Sequence, residues 1–215
     1  MMKLRTGLIA AVGAFLVGAA AGGALLIAKT PATKTVILRV PAPDDGTMKV
    51  VFPKHPNPRQ SQLLAMAYDI AKRDGLPWPQ VLQGILLQES NAGAAHHYKV
   101  AGQEYGLKPI HRYYGVAQVK LSAAMVVLRR WPRMWTEFHF QTHTDDEVIA
   151  KLIEDDTFNL SVASKYLVVL YDMGYTSMGA MAAAYNKGPA GAEDTDPEQD
   201  AYAIAVVAHV ADLQQ

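Results

Sequence analysis

A carboxylic acid ends an apolar helical segment near the middle of the chain, and this feature constrains the fold most. Leu82, Ile85 and Leu86 lie at helical spacing from Glu89, so all four residues fall on one side of a helix. A carboxyl group on that side leaves bulk water, and desolvation raises its pKa toward neutrality. A carboxylic acid that is protonated near neutral pH can act as a general acid, as the cleavage of a glycosidic bond requires. The alternative is a glutamate that turns outward at the end of the helix.

The sequence after residue 58 predicts a succession of helices. Apolar residues repeat with helical period over residues 63–71, and Asp74-Gly75 ends this first helix because Gly commonly terminates helices. A second helix, over about residues 79–90, carries the acid. Residues 91–114 lack periodicity and predict a loop with room for a small hairpin. Further helices are predicted over residues 121–130, 145–154, 158–173 and 177–185, and a last one follows Asp196-Pro197-Glu198. The predicted fold class is mainly α.

The N-terminus carries a long uncharged run. Residues 7–28 contain 22 residues without a charge and follow Lys3 and Arg5. A helix needs about 20 residues to span a bilayer, whereas the apolar core of a signal peptide is usually about 7–15 residues long. The length favours an uncleaved signal anchor over residues 1–28, formed by an N-terminal hydrophobic helix. A cleaved signal peptide is the alternative, because Ala19-Ala20-Ala21 provides small residues for a cleavage site.

Residues 29–58 are rich in proline and predict a linker. Proline restricts helices and central strands, and a linker is semi-rigid where prolines cluster. The six prolines are Pro31, Pro41, Pro43, Pro53, Pro56 and Pro58. Short strands over residues 36–40 and 49–52 are an alternative for parts of this segment. The globular domain then covers residues 59–215.

Charge and cysteine content exclude several classes of partner and of stabilisation. Lys plus Arg and Asp plus Glu each number 20, so the formal net charge is zero. No basic field attracts nucleic acid, and we therefore expect no nucleic-acid partner. The chain has no cysteine, so disulfides cannot stabilise it.

Two short motifs follow Glu89-Ser90 along the chain. The first lies in residues 115–119, which contain a G-x-x-Q pattern, and the second lies in residues 182–189, which contain A-Y-N-x-G. A further segment, residues 156–160 followed by Tyr166-Leu167, matches a helix start before a Y-L pair. This ordered set resembles the signature of the lytic transglycosylases of the soluble-lytic-transglycosylase type (SLT, family 1), which are relatives of goose-type lysozyme.

The resemblance covers about residues 61–210 and implies a lysozyme-like α+β catalytic domain with at most a small β-hairpin. The implied enzyme is a peptidoglycan lytic transglycosylase, which cleaves the MurNAc–GlcNAc bond, forms 1,6-anhydro-MurNAc and needs no cofactor. Glu89 would protonate the leaving oxygen and then act as the base toward the 6-hydroxyl. The implied partner is the peptidoglycan glycan strand. The implied location is the periplasmic side of the cytoplasmic membrane with residues 7–28 as anchor, or the periplasm after signal cleavage.

In this family the residues that match Ser90, Gly115, Gln118, Tyr185 and Asn186 contact the site or the substrate. The amides of Gln118 and Asn186 offer donors and acceptors that suit sugar hydroxyls, although Asn186 can also cap a helix end. Tyr185 can direct its hydroxyl at the acid or at the sugar while its ring packs. The alternative for Ser90 is a hydrogen bond to its own backbone. Gly115 permits a close backbone approach or a special turn.

The sequence shows no strong candidate for a second carboxylic acid that would act together with Glu89. A two-carboxylate glycosidase needs one. Of the acids considered, Glu104 lies in the predicted loop, Asp155 and Asp156 head a predicted helix, and Asp145, Asp146 and Glu147 begin another. His139 and His143 have the i, i+4 spacing of a metal pair without a third ligand, so no metal site is predicted. His209 lies on an apolar helix face and is predicted to be a core histidine.

The alternatives to a transglycosylase are a lysozyme-type muramidase (a hydrolase) and a non-catalytic peptidoglycan-binding module with a partner in a cell-envelope machine.

Overall fold

The computed structural model describes residues 56–94 and 108–214, together with the backbone of strands at residues 19–20, 23–29, 35–41 and 100–101. The chain divides into two compact units, Met1–Gly46 and Thr47–Gln215. The first unit contains strands β1 (Ala19–Ala20), β2 (Gly23–Lys29) and β3 (Thr35–Pro41), which form an antiparallel sheet in that order. β3 includes the strand that was the alternative over residues 36–40. The hydrophobic helix predicted over residues 7–28 falls mainly outside the described residues and stays a prediction there, whereas its described part, residues 19–20 and 23–28, belongs to β1 and β2.

The second unit is mainly helical, as predicted. Its elements are α1 (Pro58–Arg73), α2 (Gln80–Ser90), β4 (Val100–Ala101), a single 3₁₀ turn (Pro109–His111), β5 (Tyr113–Tyr114), β6 (Val119–Lys120), α3 (Leu121–Arg130), α4 (Arg133–Glu137), α5 (Asp145–Glu154), α6 (Asp156–Asp172), α7 (Met178–Lys187), α8 (Pro189–Ala192) and α9 (Ala201–Asp212). Strands β4, β5 and β6 form a small antiparallel sheet in that order. Helices α3 and α5 have the predicted bounds, while the short helices α4 and α8 were not predicted. Within residues 56–94 and 108–214, no helix is both long enough and apolar enough to cross a membrane.

Side-chain caps explain where most of the helices begin. At α1, the Asn57 side chain accepts a hydrogen bond from the Gln60 backbone N–H, and the Gln60 side chain accepts one from the Asn57 N–H. The N-cap side chains Thr144, Asp155, Ser177 and Asp200 each accept a hydrogen bond from the N–H three residues further on, at the starts of α5, α6, α7 and α9. The sequence expectation that the last helix follows Asp196 directly was wrong, because Asp200 is its cap and Asp196 caps the preceding turn.

Helix α6 occupies the centre of the helical unit. It packs against α1, α3, α5 and α7, and it carries fully buried apolar side chains around its circumference. The buried side chains include Phe158, Leu160, Leu167 and Leu170. Helix α2 packs against α1 and α9, and α9 also packs against α7. The last turn of α2 therefore lies between elements from both ends of the domain sequence.

A glycine lets α9 approach α2 closely. A Cβ added at Gly84 would lie 2.7 Å from the Val206 carbonyl oxygen and 2.9 Å from Val210 Cγ2, which no real side chain tolerates. Close contact of the two helix backbones at this point brings the first turns of α9 to the end of α2, where the predicted acid lies.

Replacing Gly84 by Ala is expected to lower the free energy of unfolding by about 1–3 kcal/mol, because the added methyl group forces α9 away from α2. Ala is favoured over Gly by about 1 kcal/mol in an isolated helix. A net loss of stability would therefore come from the contact between α2 and α9. Urea denaturation followed by circular dichroism measures the change.

Gly179→Ala in α7 is the matched control for this substitution. The nearest atom to a Cβ at Gly179 is Pro197 Cβ at 3.4 Å, an ordinary contact, so this variant should be neutral or slightly stabilised. A Gly84→Ala variant as stable as the wild type would contradict the close packing of α2 on α9.

Candidate active site

The acid at the end of α2 is held by a hydroxyl group from α9. Glu89 is half-buried, and the Tyr202 hydroxyl donates a hydrogen bond to its Oε1 over 2.5 Å. Tyr202 itself is half-buried on the face of α9 that packs against α2. The bond joins two residues 113 positions apart, so it ties the two helices together at the site.

The environment of Glu89 raises its pKa to about 7. Burial is the largest influence, since it disfavours the charged carboxylate. The hydrogen bond from Tyr202 and the positive charge of Lys120 act in the opposite direction without cancelling it. The direction of the shift is the one expected from the apolar helix in the sequence. A substantial fraction of Glu89 therefore carries a proton at neutral pH.

Glu89 opens onto a cavity of about 180 Å³. The cavity is lined from β5 and β6, from the first turn of α3, from α6 and from the end of α7. Its lining includes Tyr113, Gln118, Lys120, Tyr166, Tyr185 and Asn186. Among the described lining residues, Glu89 is the one carboxylic acid and Lys120 is the one cation. The other polar groups are amides and hydroxyls, which suit an uncharged polar ligand.

Gln118 reaches the cavity from a strained turn between β5 and β6. Its backbone φ is +49°, and its N–H and its side-chain Nε2 both donate to the Gly115 carbonyl oxygen, over 3.0 and 2.8 Å. Gly115 has a φ of +71°, and a Cβ there would overlap the Leu152 carbonyl oxygen and the Asn159 side chain. Gly115 therefore supplies both the special turn and the close approach that the sequence predicted.

A buried asparagine of α6 holds this turn in place. The Asn159 Oδ1 accepts from the Ala117 N–H over 2.9 Å, and its Nδ2 donates to the Tyr114 and Leu152 carbonyl oxygens over 2.8 and 3.0 Å. Three hydrogen bonds from one buried amide fix the backbone from which Gln118 projects.

The Tyr185 hydroxyl is also directed at this turn. It donates a hydrogen bond to the Ala117 carbonyl oxygen over 2.7 Å. The centroid of the Tyr185 ring lies 6.0 Å from that of the Tyr166 ring, and the two ring planes meet at 62°. Burial raises the pKa of Tyr185 well above its ordinary value, and the nearby Glu89 and Tyr166 add to the effect. Tyr185 is therefore a neutral wall of the cavity whose orientation is set by the turn.

The structure brings four of the six predicted site residues to one cavity: Glu89, Gln118, Tyr185 and Asn186. The other two residues, Ser90 and Gly115, do not line it. The buried Ser90 hydroxyl donates to the Leu86 carbonyl oxygen over 3.2 Å and accepts from the Gly93 N–H over 2.9 Å, which is the alternative role expected from the sequence.

Tyr202 and Lys120 were not predicted from the sequence as site residues. The available signal for Tyr202 was a hydroxyl group on the apolar face of the last predicted helix. The signal for Lys120 was a lone charge two positions after the motif glutamine Gln118. Neither signal identifies a partner, because both contacts join segments that are distant in the sequence.

An ion pair fixes the start of α9 next to Tyr202. Lys187 Nζ at the end of α7 lies 2.8 Å from Asp200 Oδ2, and Asp200 Oδ1 accepts from the Ala203 N–H over 2.8 Å. Burial raises the pKa of Asp200, but the bonds from Lys187 and the backbone outweigh it, so the pKa lies below its ordinary value. The helix that carries the Tyr202 hydroxyl is thus anchored two residues before it.

None of the described histidines lines the cavity. His139 and His143 have positive φ values and stand outside the helices, so they share no helix face. Among the described residues, no group of three or more His, Asp or Glu side chains is placed to hold a metal ion. His209 is buried with its Nε2 3.0 Å from Gln88 Oε1, and burial lowers its pKa to about 4. It is a core histidine, as predicted.

Comparison of the chain with known protein families, with curated proteins and with solved structures finds no match in any of the three. The function is therefore inferred from the geometry of the cavity and from the four motif residues that line it. These residues combine one acid whose pKa lies near neutrality with two amides and a fixed aromatic wall.

Glu89→Gln is expected to stabilise the protein above neutral pH. The native carboxyl group, with a pKa of about 7, holds a proton that the unfolded chain has released above 4.5, so native stability falls as pH rises between these values. Gln has no charge to bury. The difference in free energy of unfolding between Glu89→Gln and the wild type should therefore grow to at most about 3 kcal/mol between about pH 4 and about pH 8. Urea denaturation at both pH values measures it.

The matched control for the stability experiment is Glu154→Gln, which neutralises an exposed glutamate at the end of α5. This variant should show no comparable gain at the higher pH. A Glu89→Gln variant whose advantage is the same at both pH values would contradict the burial of the Glu89 charge.

Tyr202→Phe is expected to raise the pKa of Glu89 above about 7, because it removes a hydrogen bond that favours the carboxylate. The pKa is measured by NMR titration of the ¹³C-labelled glutamate carboxyl groups. Tyr171→Phe, which changes a more exposed tyrosine packed edge-on against Trp78, is the control and should leave the titration unchanged. An unchanged or lower pKa in Tyr202→Phe would contradict the role of this bond.

Proposed function

We propose that this chain is a peptidoglycan lytic transglycosylase that cleaves the MurNAc–GlcNAc glycosidic bond with formation of 1,6-anhydro-MurNAc. The observation that carries the proposal is a single carboxylic acid with a pKa of about 7, facing a cavity whose other polar groups are mostly amides and hydroxyls. General acid catalysis works best when the pKa of the acid lies near the working pH. The polar groups of the cavity match the hydroxyl and acetamido groups of an amino sugar.

The first step is proton donation from Glu89 to the glycosidic oxygen, while the bond from that oxygen to the anomeric carbon breaks. The reaction leaves Glu89 as a carboxylate in a partly desolvated place. The Tyr202 hydroxyl, 2.5 Å from Oε1, stabilises this carboxylate, and the charge of Lys120 acts in the same direction. The two groups thus favour the form of Glu89 that the first step creates.

The second step uses Glu89 as a base. Two-carboxylate glycosidases place their acids about 5–9.5 Å apart, and Glu89 is the one acid among the described lining residues. In the proposed mechanism the N-acetyl group of the substrate supports the cationic centre instead. Glu89 then takes the proton from the 6-hydroxyl, whose oxygen bonds to the anomeric carbon and closes the 1,6-anhydro ring. Glu89 is protonated again, and no water is consumed.

Substrate positioning is assigned to the side chains around the acid. The bond from Gln118 Nε2 to the Gly115 oxygen fixes the orientation of the Gln118 amide. Asn186 offers a second amide from the end of α7. The rings of Tyr113 and Tyr166 line the cavity and can pack against sugar faces. A module that only binds glycan has no need for an acid with a raised pKa, which favours an enzyme over that alternative.

We also propose that the domain acts on the periplasmic side of the cytoplasmic membrane. The support is the uncharged run over residues 7–28, which is long enough to anchor the chain in a bilayer. Fractionation of cells that express the full chain would find it in the membrane if the anchor is retained. Recovery in the soluble periplasmic fraction would favour a cleaved signal peptide.

Digestion of purified peptidoglycan tests the function directly. The expected products are anhydro-muropeptides, which mass spectrometry separates from the hydrated products of a hydrolase. Glu89→Gln should abolish product formation and retain glycan binding, because it removes the proton but keeps the shape of the side chain. Glu154→Gln, an exposed carboxyl group outside the cavity, is the matched control and should keep full activity.

The other outcomes of the digestion distinguish the alternatives. Reducing-end muramic acid without the anhydro form would identify a lysozyme-type muramidase. Glycan binding without any product from the wild type would identify a binding module. Equal activity of Glu89→Gln and the wild type would remove Glu89 from the mechanism.

A further inference from the structure

A lysine stands inside the proposed catalytic cavity and forms no direct ion pair with a described carboxylate. Lys120 is the last residue of β6, directly before α3, and is half-buried. Its Nζ is 4.9 Å from the centroid of the Tyr113 ring and 3.5 Å from the Asn186 carbonyl oxygen. Both neighbours line the cavity, so the ammonium group is held at the wall of the site. None of the ion pairs between described residues includes Lys120.

The contacts of Lys120 leave it able to bind a ligand. An ammonium group has three N–H donors, and the Asn186 carbonyl oxygen, at 3.5 Å, accepts at most one of them in a long bond. The tyrosine ring attracts the cation but accepts no strong hydrogen bond. Lys120 immediately precedes α3, which begins without a side-chain cap, and the partial positive charge of the helix start acts in the same direction. This wall of the cavity favours an anion.

We propose that Lys120 binds a carboxylate of the substrate: the lactyl carboxylate of a muramic acid that has lost its peptide stem. The inference depends on the proposed function for the identity of the sugar. Lys120 and Glu89 line one cavity, and the charge of Lys120 acts on Glu89, so a substrate that presents its glycosidic oxygen to Glu89 brings substituents of the same sugar ring near Lys120. On muramic acid the lactyl ether, on the ring carbon two positions from the anomeric carbon, is such a substituent.

The charge of the lactyl group depends on an earlier reaction. In a muramic acid that carries a peptide stem, the lactyl carbonyl belongs to an amide and is neutral. Hydrolysis of that amide releases the stem and leaves a carboxylate. A site that selects the carboxylate therefore acts on stripped glycan strands, downstream of an amide hydrolase. The charged partner adds a charge-assisted hydrogen bond that the amide does not provide.

Two glycans that differ at the lactyl carboxyl group test the proposal. One is a MurNAc–GlcNAc oligosaccharide with lactyl carboxylates, and the other is the same oligosaccharide after its carboxylates are coupled to methylamine. The wild type should show a kcat/KM at least about tenfold higher on the carboxylate form. In Lys120→Met the ratio between the two substrates should fall to about one, whereas Lys120→Arg should keep a preference for the carboxylate.

The ratio isolates substrate charge from the influence of Lys120 on Glu89. Loss of Lys120 shifts the pH profile equally for both glycans, so the shift cancels in the ratio. Lys72→Met is the matched control, because Lys72 also lies over a tyrosine ring, that of Tyr68, but on the exposed surface of α1. It should keep the wild-type ratio. A Lys120→Met variant with the wild-type ratio, or a wild type without preference, would overturn the proposal.

Binding measurements separate this proposal from the proposed function. Calorimetry on Glu89→Gln should show tighter binding of the carboxylate glycan, and the double variant Glu89→Gln/Lys120→Met should lose the difference. If the wild type cleaves neither glycan, the catalytic function fails, yet this binding difference still supports the role of Lys120. Equal binding of the two glycans to Glu89→Gln overturns it.

Discussion

The burial of one carboxyl group where α2 meets α9 is the interaction on which the site depends. Desolvation favours the protonated form of Glu89, while the Tyr202 hydroxyl and the charge of Lys120 favour the carboxylate. The result is a pKa of about 7, so the group can give up a proton and take one back near neutral pH with little change in free energy. One residue can then serve both proton transfers of the proposed reaction. The folded state is less stable once that carboxyl group is ionised, because the charge is poorly solvated.

The scaffold holds the two sides of the cavity by different means. On one side, Gly84 permits the close approach of α9 to α2, and the ion pair between Lys187 and Asp200 fixes the start of α9. On the other side, the turn that carries Gln118 is held by the buried Asn159 amide of α6. Both sides rest on helices with many buried contacts, and catalytic groups need such rigid support to keep their geometry.

The motif residues serve two kinds of purpose that look alike in a sequence. Gln118 and Asn186 present their side chains to the cavity. Ser90 and Gly115 shape the backbone instead. The Ser90 hydroxyl forms hydrogen bonds with backbone groups at the end of α2, and Gly115 lets the turn pass close to α6. These short motifs therefore mix groups that face the cavity with groups that shape the local backbone. The same cavity also holds Lys120, which no motif includes and which makes the charge of the substrate a determinant of binding in our proposal.

The sequence by itself determined the longer helices and the direction of the pKa shift at Glu89, because these features depend mainly on neighbours within one or two helical turns. It did not predict α4 and α8, and it placed the cap of α9 at the wrong aspartate. The bounds of α3 and α5 agree with those predicted from the sequence, and the direction of the pKa shift agrees with the apolar residues beside the acid. Only the tertiary structure decided which groups meet the acid. Tyr202 lies 113 positions from Glu89, and the contact exists because α9 packs against α2 within a core built from the whole domain. Helical period and capping are local properties of the chain, whereas contacts between distant segments depend on how all the buried surfaces pack together.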